Sequence, residues 1–245
     1  MVASWCTVLF FCRDFLSSML ISSKAADDSD RVRVKICGLT REDDVVTAVD
    51  AGADAVGFVC YPQSSRYVTP SRLMALTSLV PSSVTVVLVF VNPTSEEVRE
   101  HVSLFPKAVL QFHGNESRAF CDQFGVPYIK AVAVKTGLDI LNVQEEYPMA
   151  HALLADTDDP QHGGVGEAFD WPTLAAVRDR ITKPLIVAGG LNTGNVAQAI
   201  DLLRPWAVDV ASGVEAAKGV KDHDKLLGFM DAVEACGQVQ NCAVD

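Results

Sequence analysis

The sequence lacks long apolar runs, paired cysteine motifs and an excess of basic residues. Its uninterrupted apolar runs, such as residues 8–12 and 86–91, are far shorter than the roughly 20 residues that a membrane-spanning helix needs. The 20 basic residues are outnumbered by 31 acidic ones, and the formal net charge is −11. Such an acidic chain offers no basic surface for nucleic acid. We therefore expect neither a membrane nor nucleic acid as a partner, although backbone amides could still hold a small phosphorylated ligand.

The seven cysteines are scattered along the chain, with no Cys-x-x-Cys pair and no spacing typical of metal ligands. A chain of 245 residues does not need a disulfide framework to be stable. The histidines are equally scattered. We expect reduced thiols in an intracellular compartment, no metal site and no redox or metal cofactor.

Residues 1–30 differ from the rest of the chain, being apolar and serine-containing at first and then acidic. The first basic residue, Arg13, follows the apolar run, whereas a secretory signal carries positive charge before it. A transit peptide would contain more arginine. Two interpretations stay open, a targeting segment and a misassigned start. The expected location is the cytoplasm, or an organelle such as a plastid if residues 1–30 are a targeting segment.

From Arg33 onwards, eight short β-branched or apolar runs alternate with segments of helical period. Units of about 25 residues match the size of a (β/α)8 barrel. The rival is a doubly wound open sheet, but the G-x-G-x-x-G turn that it needs after a strand is absent. We predict an α/β fold, a parallel eight-stranded (β/α)8 barrel over 31–237, with 1–30 as an extension and 238–245 as a short tail. The expected strands are 32–37, 55–60, 84–91, 108–113, 128–134, 151–156, 184–189 and 207–212.

Three of the intervening helices carry recognisable start signals. Thr40 is a candidate cap for the first helix, and Thr69 precedes Pro70 at a first helical position. Thr94 followed by Glu97 is typical of a capping box. The apolar residues expected on one side of the first helix are Val45, Val46, Ala48 and Val49. Further helices are expected near 116–124, 137–146, 171–180, 193–203 and 222–235.

Glycine-rich turns follow the seventh and eighth strands, at the end of a barrel where functional residues lie. The first contains Gly189, Gly190 and Asn192, and the second contains Ser212 and Gly213. Such turns expose backbone amides to an anion and let a phosphate approach the main chain. An ordinary βα turn is the alternative for either one alone. Because both occur together, we predict a phosphate site formed by these five residues.

Two candidates for acid–base chemistry end other strands. Cys37 ends strand 1 on the same side as Lys35, whose positive charge would favour a thiolate, but a strand cysteine can equally well just pack. Asp156 closes an apolar strand, where a carboxylate is a helix cap, a partner for a basic residue or a proton donor. Lys130 and Asp209, inside apolar strands, are expected to pair with other charges within the barrel.

The remaining candidates would contact a substrate. Arg66 lies in the loop after strand 2, where it either grips a carboxylate or is solvated. Gln111 and His113 end strand 4, and His113 could bond to a substrate or only to a backbone carbonyl. The long loop after Asp156 contains Gly163 and Gly164 and has the composition of a substrate-covering lid.

Together these segments resemble the phosphoribosylanthranilate isomerases of tryptophan biosynthesis, over about residues 32–235. The cysteine after Lys-Ile, the late aspartate with its glycine loop and Ser-Gly-Val-Glu, in this order, are the most selective features. The segments that carry the resemblance are VKICGLT (34–40), DAGADAVGFV (50–59), YPQSSRYVTP (61–70), QFHGNE (111–116), LLADTDDPQHGGVGEAFDW (153–171), AGGLNTGNV (188–196) and AVDVASGVE (207–215).

The resemblance implies an Amadori rearrangement of N-(5′-phosphoribosyl)anthranilate, with Cys37 as general base and Asp156 as general acid. It implies that Arg66 binds the anthranilate carboxylate and that the two glycine-rich turns surround the phosphate. No cofactor is implied, the partner is a small phosphosugar, and the chain is a monomer or homodimer. Alternatives are another phosphosugar barrel, of the indole-glycerol-phosphate synthase or sugar-phosphate epimerase type, and a non-catalytic ligand-binding barrel. The former expects catalytic lysine and glutamate residues, and the latter the loss of Cys37 or Asp156.

Overall fold

A computed structural model describes residues 31–157 and 170–241 of the chain, with side chains described up to residue 236. Gly163, Gly164 and most of the expected lid lie outside the described residues, as do the extension 1–30 and the end of the tail. The last helix continues to Asn241, past the expected boundary at residue 237.

Eight parallel strands form a closed barrel in which each strand pairs with the next along the chain and β8 pairs with β1. The predicted (β/α)8 barrel is confirmed. The strands are β1 (Arg33–Cys37), β2 (Ala55–Val59), β3 (Thr85–Phe90), β4 (Val109–Phe112), β5 (Tyr128–Ala133), β6 (Ala152–Asp156), β7 (Leu185–Val187) and β8 (Ala207–Val210). The helices are α1 (Glu42–Asp50), α2 (Pro70–Thr77), α3 (Ser95–Leu104), α4 (Arg118–Asp122), α5 (Gly137–Glu146), α6 (Trp171–Ala175), α7 (Val196–Leu203) and α8 (His223–Asn241).

Side chains alternate between the barrel interior and the layer beneath the helices, because successive residues of a strand point to opposite faces. The outward set, which includes Ile36, Phe58 and Phe112, is fully buried against the helices and forms the larger apolar core. The inward set is smaller and includes Val87 and Leu154. The inward positions at the carboxyl ends of the strands are therefore those that can face a ligand.

Two buried ion pairs confirm that charges inside strands pair with other charges, but only the pair of Asp209 lies within the barrel as predicted. Lys35 on β1 and Asp209 on β8 are register partners, and Lys35 Nζ lies 2.9 Å from Asp209 Oδ2 inside the barrel. Lys130 points outward from β5 and lies 3.1 Å from Glu116 Oε2. The second pair therefore lies in the layer between the barrel and its helices.

The helix starts are as predicted at two of three places. Thr69 accepts a hydrogen bond from the amide of Arg72, and Thr94 forms the predicted capping box. The prediction for Thr40 is wrong, because α1 begins at Glu42 and the Thr40 hydroxyl donates to the carbonyl of Gly219. That bond connects the loop after β1 to Gly219, which lies 179 residues further along the chain. A contact between residues so far apart cannot be predicted from the sequence around Thr40.

The expected apolar side of α1 is only partly confirmed. Val45 and Ala48 are fully buried, whereas Val46 is 42% exposed. Val46 lies about 100° around the helix from Val45, on the side away from Ala48, and so points outward from the buried face.

Strands β7 and β8 are shorter than expected and stop before their glycine-rich turns. Gly189 and Gly190 have positive φ, which leaves the extended conformation, and a 3-10 turn over Ser212–Val214 follows β8. After that turn, β9 (Glu215–Ala217) and β10 (Val220–Lys221) form a two-stranded antiparallel hairpin before α8. The hairpin was not predicted.

Buried and exposed ion pairs should contribute differently to the stability of the fold. Glu116→Gln removes the charge that faces buried Lys130, and breaking a buried pair costs about 3–5 kcal/mol. We expect the free energy of unfolding to fall by about 3 kcal/mol in urea denaturation followed by circular dichroism. The control Glu42→Gln breaks the exposed pair with Arg72 and should cost less than about 1 kcal/mol. Equal losses in the two variants would contradict this interpretation.

Candidate active site

A cavity of about 740 Å³ opens at the carboxyl ends of the barrel strands. Most of the candidate residues in the described part of the chain line it. They are Cys37, Arg66, Gln111, His113, Asp156, Gly189, Gly190 and Ser212. Asn192 and Gly213, which belong to the same two turns, are not among the lining residues. The cavity therefore brings the predicted acid–base pair and the predicted phosphate turns to one place.

The thiol of Cys37 is buried at the end of β1, beside the ammonium of Lys35. A Cβ placed at Gly57 would lie 2.8 Å from Cys37 Sγ and 3.2 Å from Lys35 Nζ, so the absence of a side chain there makes room for both. The ammonium of Lys35 donates to Asp209 Oδ2 at 2.9 Å and interacts electrostatically with the thiol of Cys37. The expectation that a lysine lies beneath the thiol is thus confirmed.

Burial and charge oppose one another at this thiol. Burial raises the pKa of Cys37, Lys35 lowers it and Asp209 raises it again, and the net pKa lies above the ordinary value of a thiol. For Lys35, burial lowers the pKa, but Asp209 and Cys37 outweigh it, so the pKa is raised and the ammonium persists. Because Asp209 offsets the lysine charge, the thiolate is favoured less than Lys35 alone would make it.

Asp156 ends β6 at the cavity and bonds to His113, which follows β4, and to the neighbouring Thr157. Its Oδ2 lies 3.1 Å from Nε2 of His113, and its Oδ1 accepts the amide of Thr157 at 2.7 Å. The side-chain amide nitrogen of Gln111 lies 3.0 Å from Nδ1 of His113. That nitrogen can only donate, so Nδ1 accepts and the proton of a neutral imidazole is on Nε2, facing Asp156. Of the alternatives left open for Asp156, the structure shows a partner side chain, and His113 bonds to side chains rather than to a backbone carbonyl.

Arg66 is buried at the rim of the cavity rather than solvated. Its Nε and Nη2 donate to Glu215 at 2.8 and 2.7 Å, a bidentate pair that fixes the plane of the guanidinium. Hydrogen bonding to Glu215 raises the pKa of Arg66, so the group keeps its charge. Glu215 belongs to the segment Ser-Gly-Val-Glu, but sequence reasoning assigned it no role.

The two glycine-rich turns are shaped for close approach of a ligand. At Gly213 a Cβ would lie 1.9 Å from the carbonyl oxygen of Leu191, so the second turn packs directly on the first. Among the hydrogen bonds of residues 31–157 and 170–241, none is donated by the amides of Gly190, Leu191, Ser212 or Gly213. Asn192 stabilises its own turn, accepting from the amide of Gly194 and donating to the carbonyl of Gly190.

Sequence reasoning also missed one wall of the cavity and one buried lysine. The wall is the face of α5 that carries Asp139, Asn142 and Glu146, which looks like any amphipathic helix in sequence. The lysine is Lys221, on a strand of two residues that is too short to show a period. No helix within the described ranges combines the length and the apolar character needed to cross a bilayer.

Comparison with known proteins decides the family. Residues 34–232 match the family described as N-(5'phosphoribosyl)anthranilate (PRA) isomerase, over most of the chain. The chain belongs to the PRA isomerase family. The match begins inside β1 and ends inside α8, so it spans the whole barrel.

Individual PRA isomerases support the same conclusion. The enzyme of Nitrosospira multiformis is 49% identical over 203 residues, which cover 82% of this chain and 96% of the relative. A crystal structure of the Thermotoga maritima PRA isomerase is 41% identical with a TM-score of 0.77, covering 83% of this chain and 99% of that one. Another PRA isomerase structure, in complex with reduced 1-(o-carboxyphenylamino)-1-deoxyribulose 5-phosphate, is 39% identical with a TM-score of 0.74 and the same coverage.

The PRA isomerases are aldose–ketose isomerases of tryptophan biosynthesis, and this chain is one of them. Its reaction is the Amadori rearrangement of N-(5′-phosphoribosyl)anthranilate to 1-(2-carboxyphenylamino)-1-deoxyribulose 5-phosphate. The family, the fold and the reaction expected from the sequence are therefore confirmed.

The charges around Cys37 predict opposite shifts in its titration. Lys35→Met removes the charge that lowers the pKa of Cys37, and Asp209→Asn removes one that raises it. We measure the rate of iodoacetamide alkylation against pH and subtract the rate of Cys37→Ser, which reports the other cysteines. The inflection should move to higher pH in Lys35→Met and to lower pH in Asp209→Asn. Inflections that stay at the wild-type pH in both folded variants would contradict this account.

Proposed function

We propose that Cys37 is the general base and Asp156 the general acid of this PRA isomerase. The observation that carries the proposal is the placement of these two residues. Each is the last residue of its strand, each faces the same cavity, and their surroundings differ. The thiol is buried beside an ammonium, whereas the carboxyl is 27% exposed and bonded to an imidazole. The ammonium of Lys35 favours the thiolate, which is the form that accepts a proton, and the donors beside Asp156 stabilise the carboxylate that remains after it releases one.

The first step is ring opening. Asp156 protonates the furanose ring oxygen, and cleavage of the C1–O bond leaves a protonated Schiff base between C1 and the anthranilate nitrogen. The carboxylate that Asp156 becomes accepts hydrogen bonds from Nε2 of His113 and the amide of Thr157. Two donors placed in advance stabilise that charge as it forms. Gln111 acts indirectly, because its amide holds the tautomer of His113.

The second step is proton removal from C2. The positive iminium makes the C2–H bond acidic, so a thiolate base is sufficient and the chemistry calls for no cofactor. Cys37 takes this proton, and the resulting enolamine tautomerises to the ketone. The ammonium of Lys35 beside Sγ stabilises the thiolate before the transfer.

The two ends of the substrate are held by different means. Arg66, fixed by Glu215, faces the anthranilate carboxylate. The phosphate lies against the backbone of the two glycine-rich turns, where Gly189, Gly190 and Ser212 line the cavity and Gly213 lets the turns pack closely. Asn192 contributes by shaping the first turn. Gly163 and Gly164, which lie outside the described residues, are proposed to cover the substrate. Fixing both ends lets acid and base act from opposite sides of the sugar.

Assembly and location are part of the same proposal. The substrate is a small phosphosugar. One solved structure is described as monomers of the dimeric Thermotoga maritima enzyme, which supports a homodimer as well as a monomer for this chain. Bacterial relatives such as that of Dechloromonas aromatica support an intracellular location. A plastid location has no support among these relatives.

Removing either proton-transfer group should abolish most of the turnover. We expect Cys37→Ser and Asp156→Asn each to lower kcat by about 10²–10⁴-fold in an anthranilate-fluorescence assay on freshly made substrate. Cys60→Ser and Asp201→Asn are the matched controls, because neither residue lines the cavity, and they should stay within about twofold of wild type. Near-normal turnover in either test variant would show that the acid–base assignment is wrong.

Arg66→Lys tests the carboxylate site. Lysine keeps the charge but cannot present the planar fork that serves Glu215 and a second carboxylate together. We expect KM to rise about tenfold with a smaller change in kcat, since one charge-assisted hydrogen bond contributes about 1.5–3 kcal/mol. Arg72→Lys, in an exposed pair with Glu42, is the control. An unchanged KM in Arg66→Lys would remove its role in binding.

A further inference from the structure

The hairpin of β9 and β10 contains two buried charged residues that the mechanism above does not use in full. Glu215 opens the hairpin and Lys221 closes it, and the side chain of Lys221 has no exposed surface at all. Burying a lysine completely is costly unless each of its three donors finds an acceptor. The acceptors of Lys221 therefore show which parts of the site its ammonium connects.

The ammonium of Lys221 has three acceptors from three different parts of the site. Nζ donates to the carbonyl of Cys37 at 2.7 Å, to the carbonyl of Ala211 at 3.0 Å and to Glu215 Oε1 at 3.2 Å. Cys37 is the last residue of β1, and Ala211 immediately precedes the turn that carries Ser212. One cation thus joins the strand end that carries the thiol to the strand end that carries the second phosphate turn.

The third acceptor extends the connection to the carboxylate site. Glu215 holds Arg66 in a bidentate pair, accepts from Lys221 and also accepts the amide of Gly219 at 3.3 Å. Burial raises the pKa of Glu215, but Arg66 and Lys221 outweigh it and hold that pKa below its usual range. Glu215 therefore stays ionised and keeps its hold on both cations.

The hairpin itself is anchored from behind, so the position of Lys221 is well defined. The backbone amide of Lys221 donates to Oδ2 of fully buried Asp44 at 3.0 Å, and His223 Nε2 lies 3.0 Å from the other oxygen of Asp44. The Thr40 hydroxyl donates to the carbonyl of Gly219. These bonds attach the hairpin to α1 and to the loop before it.

We propose that Lys221 is a positioning residue for the isomerisation, which sets the general base, the second phosphate turn and Arg66 in one fixed arrangement. This inference rests on the roles proposed above for Cys37, Arg66 and Ser212. The reaction needs these three groups at fixed separations, since the substrate spans all of them. A single ammonium bonded to two strand ends and to the carboxylate behind Arg66 provides that constraint.

Lys221 also contributes to the charge around the thiol. Four charged groups influence or face Cys37: Lys35 on β1, Asp209 on β8, Arg66 after β2 and Lys221 on β10. Among these, Lys35 and Lys221 lower the pKa of Cys37. A purely structural lysine would affect stability alone, whereas this one should change substrate binding and the titration of the thiol as well.

The test is Lys221→Met, which keeps the length and volume of the side chain and removes the ammonium. We expect kcat/KM to fall about 10–100-fold, the effect of misplacing reacting groups by about 1 Å, with a rise in KM as part of it. The alkylation inflection of Cys37 in the substrate-free enzyme should move to higher pH. The matched control is Lys225→Met, because the side chain of Lys225 is 53% exposed, its ammonium donates to the carbonyl of Glu215 at 3.0 Å and it lies 3.8 Å from Asp222. Its kinetics should remain within about twofold of wild type.

Three outcomes distinguish a positioning role of Lys221 from a purely structural role. A Lys221→Met enzyme that is less stable but has wild-type KM and a wild-type alkylation inflection overturns the inference. If that variant does not fold, Glu215→Gln replaces it, and a wild-type KM there overturns the inference equally, since Lys221 acts on Arg66 through Glu215. The roles of Cys37 and Asp156 are judged separately by Cys37→Ser and Asp156→Asn. If those two are inactive and Lys221→Met is kinetically normal, only this inference fails.

Discussion

The pairing of β1 with β8 is the constraint on which the rest of the site depends. These strands come from opposite ends of the barrel sequence, yet Lys35 and Asp209 are register partners and form an ion pair inside the barrel. With the register set there, the period of two along each strand brings Cys37 to the cavity and places Ala211 at the end of β8. A shift by one residue would turn the thiol outward into the apolar core. The same strand pairing therefore closes the barrel and positions the residues of the site.

The net charge of −11 does not prevent binding of an anionic substrate, because the groups that face the substrate are set by the cavity and not by the net charge of the chain. Each buried cation near the cavity is paired with a carboxylate: Lys35 with Asp209, Arg66 and Lys221 with Glu215. The phosphate turns instead offer uncharged amides. Because amides carry partial charges in fixed directions, they select by geometry and add no net positive charge to the barrel.

The strands, their order and the residues at their ends could be predicted because each depends on a short stretch of sequence. The capping box at Thr94 was found for the same reason. The error at Thr40 concerns a contact between distant residues, because Thr40 bonds to Gly219 instead of capping α1. The contact of His113 with Asp156 is non-local in the same way, and sequence left the partner of His113 open. Lys221 was missed because its three acceptors come from three separate segments, and no local pattern marks a residue whose partners are assembled only by the fold.

Gly57 illustrates a trade-off between the stability of one strand and the function of its neighbour. A glycine within a strand loses more conformational freedom on folding than any other residue, at a cost of roughly 0.5–1 kcal/mol relative to alanine. Here the missing methyl group leaves the space that Cys37 Sγ and Lys35 Nζ occupy on β1. Stabilising β2 by the usual glycine-to-alanine replacement would therefore displace the thiol and its ammonium. In this barrel, thermal robustness has to be engineered at positions that do not border the reacting groups.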